Sequence, residues 1–219
     1  MQNLENKVAL ITGGSKGIGY GVAESLMKEG MKVAITSRSQ SSADEAAKNL
    51  NQANKGQAIG LEADVRNLES QQQAVNKLVN EWGQLDLLVA NAGLGYFASI
   101  EDLTSEQWHE MIDTNLTGVF YSIKASLEAL KASKGYIITI SSLAGTNFFA
   151  QGAGYNATKF GLTGFTQAVM LDLRQYGIKV STIMPGSVAT YFNNHQPNDA
   201  DHWKIQIEDL GQMVVDLMH

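Results

Sequence analysis

Cysteine is absent from this chain of 219 residues, which excludes both disulfides and thiolate catalysis. Long hydrophobic runs are missing too: the opening MQNLENKVAL contains an apolar run too short for a secretion signal or a membrane span. Positive charge is scarce, with 16 Lys and Arg against 22 Asp and Glu, a formal net charge of −6, and no long basic run. A surface that tracks nucleic-acid phosphates is therefore not expected, and neither nucleic acid nor membrane is an expected partner. The four histidines, His109, His195, His202 and His219, lack the close spacing of metal ligands, so no metal site is expected. Together these absences describe a cytoplasmic protein that handles small molecules.

What the sequence has is alternation. Short, β-rich apolar runs lie near 8–12, 32–37, 57–61, 85–90, 136–141 and 179–184, and their continuity predicts strands buried on both faces. Amphipathic segments near 18–29, 42–54, 68–82, 105–132, 153–176 and 204–218 carry apolar residues three and four apart. This is the pattern of an α/β protein, a doubly wound parallel sheet with helices on both faces. No repeat or low-complexity linker interrupts it, so residues 1–219 are expected to form a single domain, long enough to bury roughly 70% of its unfolded surface. In such sheets ligands gather at the carboxyl ends of the strands.

Behind the first of these runs lies TGGSKGIG, Thr12 to Gly19, with Gly13, Gly17 and Gly19 leading into a helix. A tight turn, a close backbone approach and a helix N-terminus suit a pyrophosphate. The spacing differs from G-x-G-x-x-G, and on its own it equally describes a ligand-free strand-to-helix turn. No Gly-Lys-Ser/Thr closes it, which excludes a Walker-type loop even though Lys16 lies inside. A second stretch, YNATK, sets Tyr155 and Lys159 four residues apart on one helix face. An ammonium beside a phenol favours tyrosinate and would draw its pKa down toward the working range of a general acid or base. Ser142, in ISSLAG at the end of the fifth predicted strand, could meet that phenol over a substrate oxygen.

In these stretches the sequence resembles the short-chain dehydrogenase/reductase family, from Lys7 to about Thr190. The family's T-G-x-x-x-G-x-G matches Thr12, Gly13, Gly17 and Gly19; its adenine-side Asp-Val matches Asp64 and Val65; its N-A-G matches Asn91, Ala92 and Gly93. Y-x-x-x-K matches Tyr155 and Lys159, the serine matches Ser142, the helix asparagine matches Asn115, and P-G matches Pro185 and Gly186, with Val188 and Thr190 beyond. The resemblance implies a Rossmann-type sheet in the order 3-2-1-4-5-6 and a nicotinamide cofactor held also by Ser15, Lys16 and Ile18. It implies carbonyl–alcohol interconversion in which Tyr155 exchanges the proton, Ser142 hydrogen-bonds the substrate oxygen, and Lys159 lowers the phenol pKa and holds the nicotinamide ribose. Asn115, at a local irregularity of its helix, would hold a relay water. Homodimers or homotetramers through the helices at 105–132 and 153–176 are implied as well.

The sequence departs from the family at two points. Thr139 stands where Asn often precedes I-S-S, and no counterpart of the usual seventh strand follows 204–218, so the sixth predicted strand would be left as a sheet edge, expected to be covered by another chain or by the tail of a longer form of this sequence. Cofactor choice turns on Ser37 and Arg38: the acid that binds the ribose 2′-hydroxyl in NAD enzymes is missing, and a cation follows. Lys16 and Arg38 together favour NADP(H), with NAD(H) possible. The expected pocket loops, 94–101, 143–154 and 187–203, carry Tyr96, Phe97, Phe148, Phe149, Tyr191, Phe192 and Trp203, with Glu101, Asp199 and Asp201 but no Arg. An apolar or aromatic carbonyl or alcohol substrate is expected; 3-oxoacyl-thioester reduction and non-catalytic nucleotide sensing are the alternatives.

Overall fold

The structure, a computed structural model, describes residues 3–54 and 56–219. Six parallel strands form one sheet: β1 (Val8–Ile11), β2 (Lys32–Ser37), β3 (Gln57–Glu62), β4 (Leu87–Ala90), β5 (Tyr136–Ile140) and β6 (Lys179–Ile183). Their order is β3-β2-β1-β4-β5-β6, the expected one. The order reverses beside β1, between its neighbours β2 and β4, which opens a crevice at the carboxyl ends of β1 and β4.

The strands lie between two apolar layers because successive side chains point to opposite faces. Ala9, Ile11, Leu87 and Val89 face a cluster with Val22 and Leu26 of α1 (Gly17–Lys28), Leu50 of α2 (Gln40–Ala53) and Val214 of α7 (Ile207–Met218). Val8, Leu10, Leu88 and Ala90 face Leu78 of α3 (Leu68–Trp82), Val119 and Ile123 of α5 (Gly118–Ser133) and Leu162 of α6 (Ala153–Leu173). Both faces need cover, which explains the near-continuous apolar runs of the central strands.

Two expectations change in detail. The predicted helix at 105–132 is divided: α4 (Ser105–Ile112) passes into a π turn, Asp113–Thr117, before α5 begins. α7 starts at Ile207 rather than 204, where Gln206 and Asp209 form a reciprocal cap. Among the described residues β6 pairs only with β5 and forms one edge of the sheet. No helix among them is long and apolar enough to cross a membrane.

Candidate active site

β1 delivers the chain into the glycine turn. Gly13 and Gly17 have φ of +64° and +59°, the left-handed region that strains any side chain. Gly19 comes so close to its neighbours that a Cβ there would fall 2.6 Å from Asn91 Nδ2 and 2.7 Å from the Gly13 carbonyl. Lys16, at the N-cap of α1, makes no side-chain capping bond, so the first-turn amides have no side-chain acceptor there. This cradle at a helix N-terminus fits a dinucleotide pyrophosphate.

Thr12 and Asn91 hold the turn in place. The buried Thr12 hydroxyl accepts from the amides of Asn91 and Ala92 at 3.0 and 3.1 Å, and Asn91 Nδ2 donates to the carbonyls of Thr12 and Gly13 at 2.8 and 3.1 Å. Thr190 closes the other side, 3.5 Å from where a Cβ of Gly17 would stand. Ser15 is half-buried, Ile18 packs on the core, and the Lys16 ammonium lies 5.9 Å over the ring of Tyr191. Between the turn and the segment after β6 lies a hollow of ≈ 670 Å³, lined by Gly17, Thr190, Tyr191 and Asp199 among others.

Along the crevice, Ser37 ends β2 half-buried and Arg38 follows it, exposed. Asp64 is gripped by Arg66, whose Nη2 and Nε donate to its two oxygens at 2.7 and 3.0 Å, and that hydrogen bonding holds the carboxyl below its usual range. Val65 is buried against the start of α5.

The π turn sets Asn115 inward, and Gly118 N donates across it to Asp113 O. The Asn115 side chain is fully buried and engaged. Its Oδ1 accepts from Leu94 N at 2.9 Å, while Nδ2 donates to Leu94 O at 2.8 Å and to Thr158 Oγ1 at 3.1 Å. Both amide hydrogens are therefore used, and they lock the segment after β4 onto α6. Gly93 lies between this amide and Lys159.

β5 brings Ser142 to Tyr155. Thr139, the departure from the family pattern, bonds to Thr166 of α6 at 3.0 Å within the core and leaves Ser142 at the strand end. Ser142 Oγ accepts from Ala144 N at 3.1 Å and lies beside the Tyr155 phenol, near enough to influence its proton affinity. Burial pushes the Tyr155 pKa up, and the Ser142 hydroxyl opposes that with a smaller lowering. Lys159 is buried; its Nζ donates to the Ile140 carbonyl at 2.9 Å and lies 5.7 Å from the Tyr155 ring centre. Burial takes its own pKa down to about 8. In this structure the Lys159 ammonium is turned to a carbonyl, and burial is the first cause of the shift at both groups.

After β6, the Pro185 carbonyl accepts from Leu143 N at 3.0 Å, tying this turn to the one that carries Ser142. Gly186 is exposed, and Val188 forms an isolated bridge with Ile205. Sequence reasoning missed Thr158, Arg66 and the Ile140 carbonyl. Thr158 even sits inside YNATK, but nothing in its spacing announces a partner 43 positions away.

A family model described as short chain dehydrogenase matches residues 7–201. The chain is 38% identical over 189 residues to a 3-oxoacyl-(acyl-carrier-protein) reductase of Vibrio cholerae, covering 86% of this chain and 76% of that one. It is 39% identical over 189 residues to a trans-4-hydroxycyclohexanecarboxylate dehydrogenase of Sinomonas cyclohexanicum, with 84% and 73% covered. An alcohol dehydrogenase from the archaeon Thermococcus sibiricus, solved with 5-hydroxy-NADP, superposes with a TM-score of 0.92 at 32% identity, over 98% of this chain and 91% of that one. With the glycine cradle, the π-turn asparagine and the Ser–Tyr–Lys cluster all at the carboxyl end of one parallel sheet, the chain belongs to the short-chain dehydrogenase family.

Proposed function

We propose that this chain is an NADP-preferring oxidoreductase that interconverts a small carbonyl compound and its alcohol. The observation that carries the reading is the placing of the Ser142 hydroxyl, the Tyr155 phenol and the buried Lys159 together, with the Lys159 ammonium 5.7 Å from the Tyr155 ring centre, next to a cradle fit for a dinucleotide. The glycine turn, Asp64 with Val65, the Asn91–Gly93 segment and the turn from Pro185 to Thr190 would hold the cofactor, which when bound supplies the hydride. Ser142 Oγ accepts from Ala144 N, and its hydroxyl hydrogen would turn from the phenol toward the substrate oxygen when substrate binds. Tyr155, protonated at neutral pH, gives its proton to that same oxygen. Lys159 spends one of three hydrogens on Ile140, leaving two for ribose hydroxyls. Asn115 holds Leu94 and Thr158 in register around them; with its amide engaged, any relay water would rest on its backbone.

The test is NADPH oxidation against ketones, aldehydes, quinones and 3-oxoacyl thioesters. Turnover of a carbonyl, abolished by loss of Tyr155, is the expected result. Preference for a thioester would move the assignment toward the Vibrio cholerae relative, and nucleotide binding without any turnover would make the chain a sensor.

Cofactor choice rests on Ser37 and Arg38. Asp64 is satisfied by Arg66, which leaves Arg38 as an exposed cation at the expected 2′-phosphate position. An Arg38→Asp variant is expected to invert the preference, since each lost charge-assisted contact costs about 1.5–3 kcal/mol and the new carboxylate can accept from a ribose hydroxyl. Steady-state kinetics with both nucleotides decides this. A wild type that already prefers NADH sinks it.

Copies of the chain are inferred to associate through α5 and α6, where Phe120, Phe160 and Leu171 remain exposed. Phe120→Arg is expected to shift sizing chromatography toward a smaller species. A monomeric wild type would end that inference.

A further inference from the structure

Three phenylalanines from three separate segments cluster beside Tyr155, two of them against its ring and the third through Phe97. Phe97, after β4, meets both Phe149, after β5, and Tyr155 edge-to-face, at 5.5 Å in each case with interplanar angles of 79° and 87°. Phe192, after β6, lies 5.7 Å from Tyr155 and 6.4 Å from Phe97. Phe97, Phe149 and Phe192 are still 41%, 45% and 36% exposed, so each keeps ring area that another apolar body could cover.

The segments that form this wall carry no charge of their own. Residues 94–100, 143–152 and 187–194, which carry the three rings, contain no Asp, Glu, Lys, Arg or His. A carboxylate or phosphate docking against these rings would lose water, a large cost for an ion, and find no cation on the segments that carry them; the Lys159 ammonium beside Tyr155 is turned to the Ile140 carbonyl.

The loop that presents Phe192 is stapled. The Val188–Ile205 bridge closes it, with Ala189 N donating to Ile205 O and Ile205 N to Ser187 O, both at 3.0 Å. Inside, the buried carboxylate of Asp201 accepts from Lys204 Nζ and His195 Nε2 at 2.5 Å each and from Asn198 N at 3.1 Å. This fan of donors neutralises the one acid buried in the loop and fixes its path, so Phe192 is presented on a preformed support.

We propose that Phe97, Phe149 and Phe192 form a subsite that selects a neutral ketone carrying an aromatic or alicyclic ring beside the carbonyl, and that the Asp201 staple positions Phe192 for it. The proposal rests on the reading of Tyr155 as the proton donor to that carbonyl. A ring placed over Tyr155 continues the edge-to-face cluster, whose geometry suits the ring quadrupoles, and covers the exposed ring faces. Small acyclic ketones leave those faces wet, and ring-bearing carboxylates strand their charge.

Two substrate pairs, each differing by one feature, test it: acetophenone against acetone, and cyclohexanone against 4-oxocyclohexanecarboxylate. Both pairs are compared by kcat/KM with NADPH and by calorimetric Kd on protein saturated with NADP+. The neutral ring compound is expected to lead each pair at least about tenfold, the scale on which an apolar pocket discriminates. Phe97→Ala and Asp201→Asn should erode the acetophenone lead, with NADPH affinity reporting that each variant is folded. Phe149→Arg should raise the carboxylate relative to cyclohexanone, a gain that structural damage would not produce. A wild type without either preference in both readouts, or a Phe97→Ala variant with undiminished selectivity, overturns the proposal. If acetophenone binds with the expected preference and is never reduced, the subsite stands and the reading of Tyr155 falls. Reduction without ring preference has the reverse meaning.

Discussion

A Tyr155→Phe variant is expected to lose at least about a hundredfold in turnover, the scale of one general acid, while binding NADPH as the wild type does. The substitution removes only the hydroxyl. The ring that meets Phe97 and Phe192 is retained, so packing around the site should be kept. Direction matters as well, because burial holds the phenol pKa above that of free tyrosine. Carbonyl reduction needs the protonated phenol, so its phenol-dependent loss should begin only at higher pH than free tyrosine titrates. Alcohol oxidation needs the phenolate and should climb as pH rises toward the same range. Opposite slopes in the two directions, both absent from Tyr155→Phe, are the signature to measure. Near wild-type turnover in the variant would remove Tyr155 from the chemistry.

Lys159→Met is expected to make the protein less active and more stable. Folding buries the ammonium against a single carbonyl and draws its pKa from 10.5 down to about 8. At neutral pH both folded and unfolded chains carry the charge, and the folded state bears the desolvation penalty. As pH rises past 8 the folded chain loses the proton first, so stability increases until the unfolded lysine also titrates near 10.5. That difference is worth roughly 3 kcal/mol, offset in part by the lost hydrogen bond to Ile140. Methionine keeps the apolar stem and removes the charge. The variant should melt on the order of 5 °C higher at pH 7, and the wild type should close the gap between pH 8 and 10. Turnover and NADPH affinity should both fall, the trade expected of a group kept for function at the expense of stability. A lower melting temperature in the variant would instead make Lys159 a structural residue.

The strands and the glycine turn were legible in the sequence because each depends on local spacing, while the strand order came from the family resemblance those motifs carry. An apolar run flanked by Gly or charge reports a buried strand, and T-G-x-x-x-G-x-G lies within eight consecutive residues. Tyr155 and Lys159 likewise share one helix face by their spacing of four. The division of the 105–132 helix at Asp113–Thr117 is different in kind. A π turn depends on where Asn115 must point, and that depends on Leu94 and Thr158, partners 21 and 43 residues distant. No periodicity within the helix encodes such partners.

By itself, then, the sequence determined the fold class from short-range periodicity, and through motifs that resemble a known family it implied the strand order and the candidate residues. Tertiary structure alone decided what those residues experience. Packing turned the Lys159 ammonium to Ile140, raised the Tyr155 phenol by burial, placed Arg66 on Asp64, and drew Phe97, Phe149 and Phe192 from three loops into one cluster beside Tyr155. Proton affinity and ring contacts depend on distance and water exclusion, which are set only when segments remote along the chain are brought together.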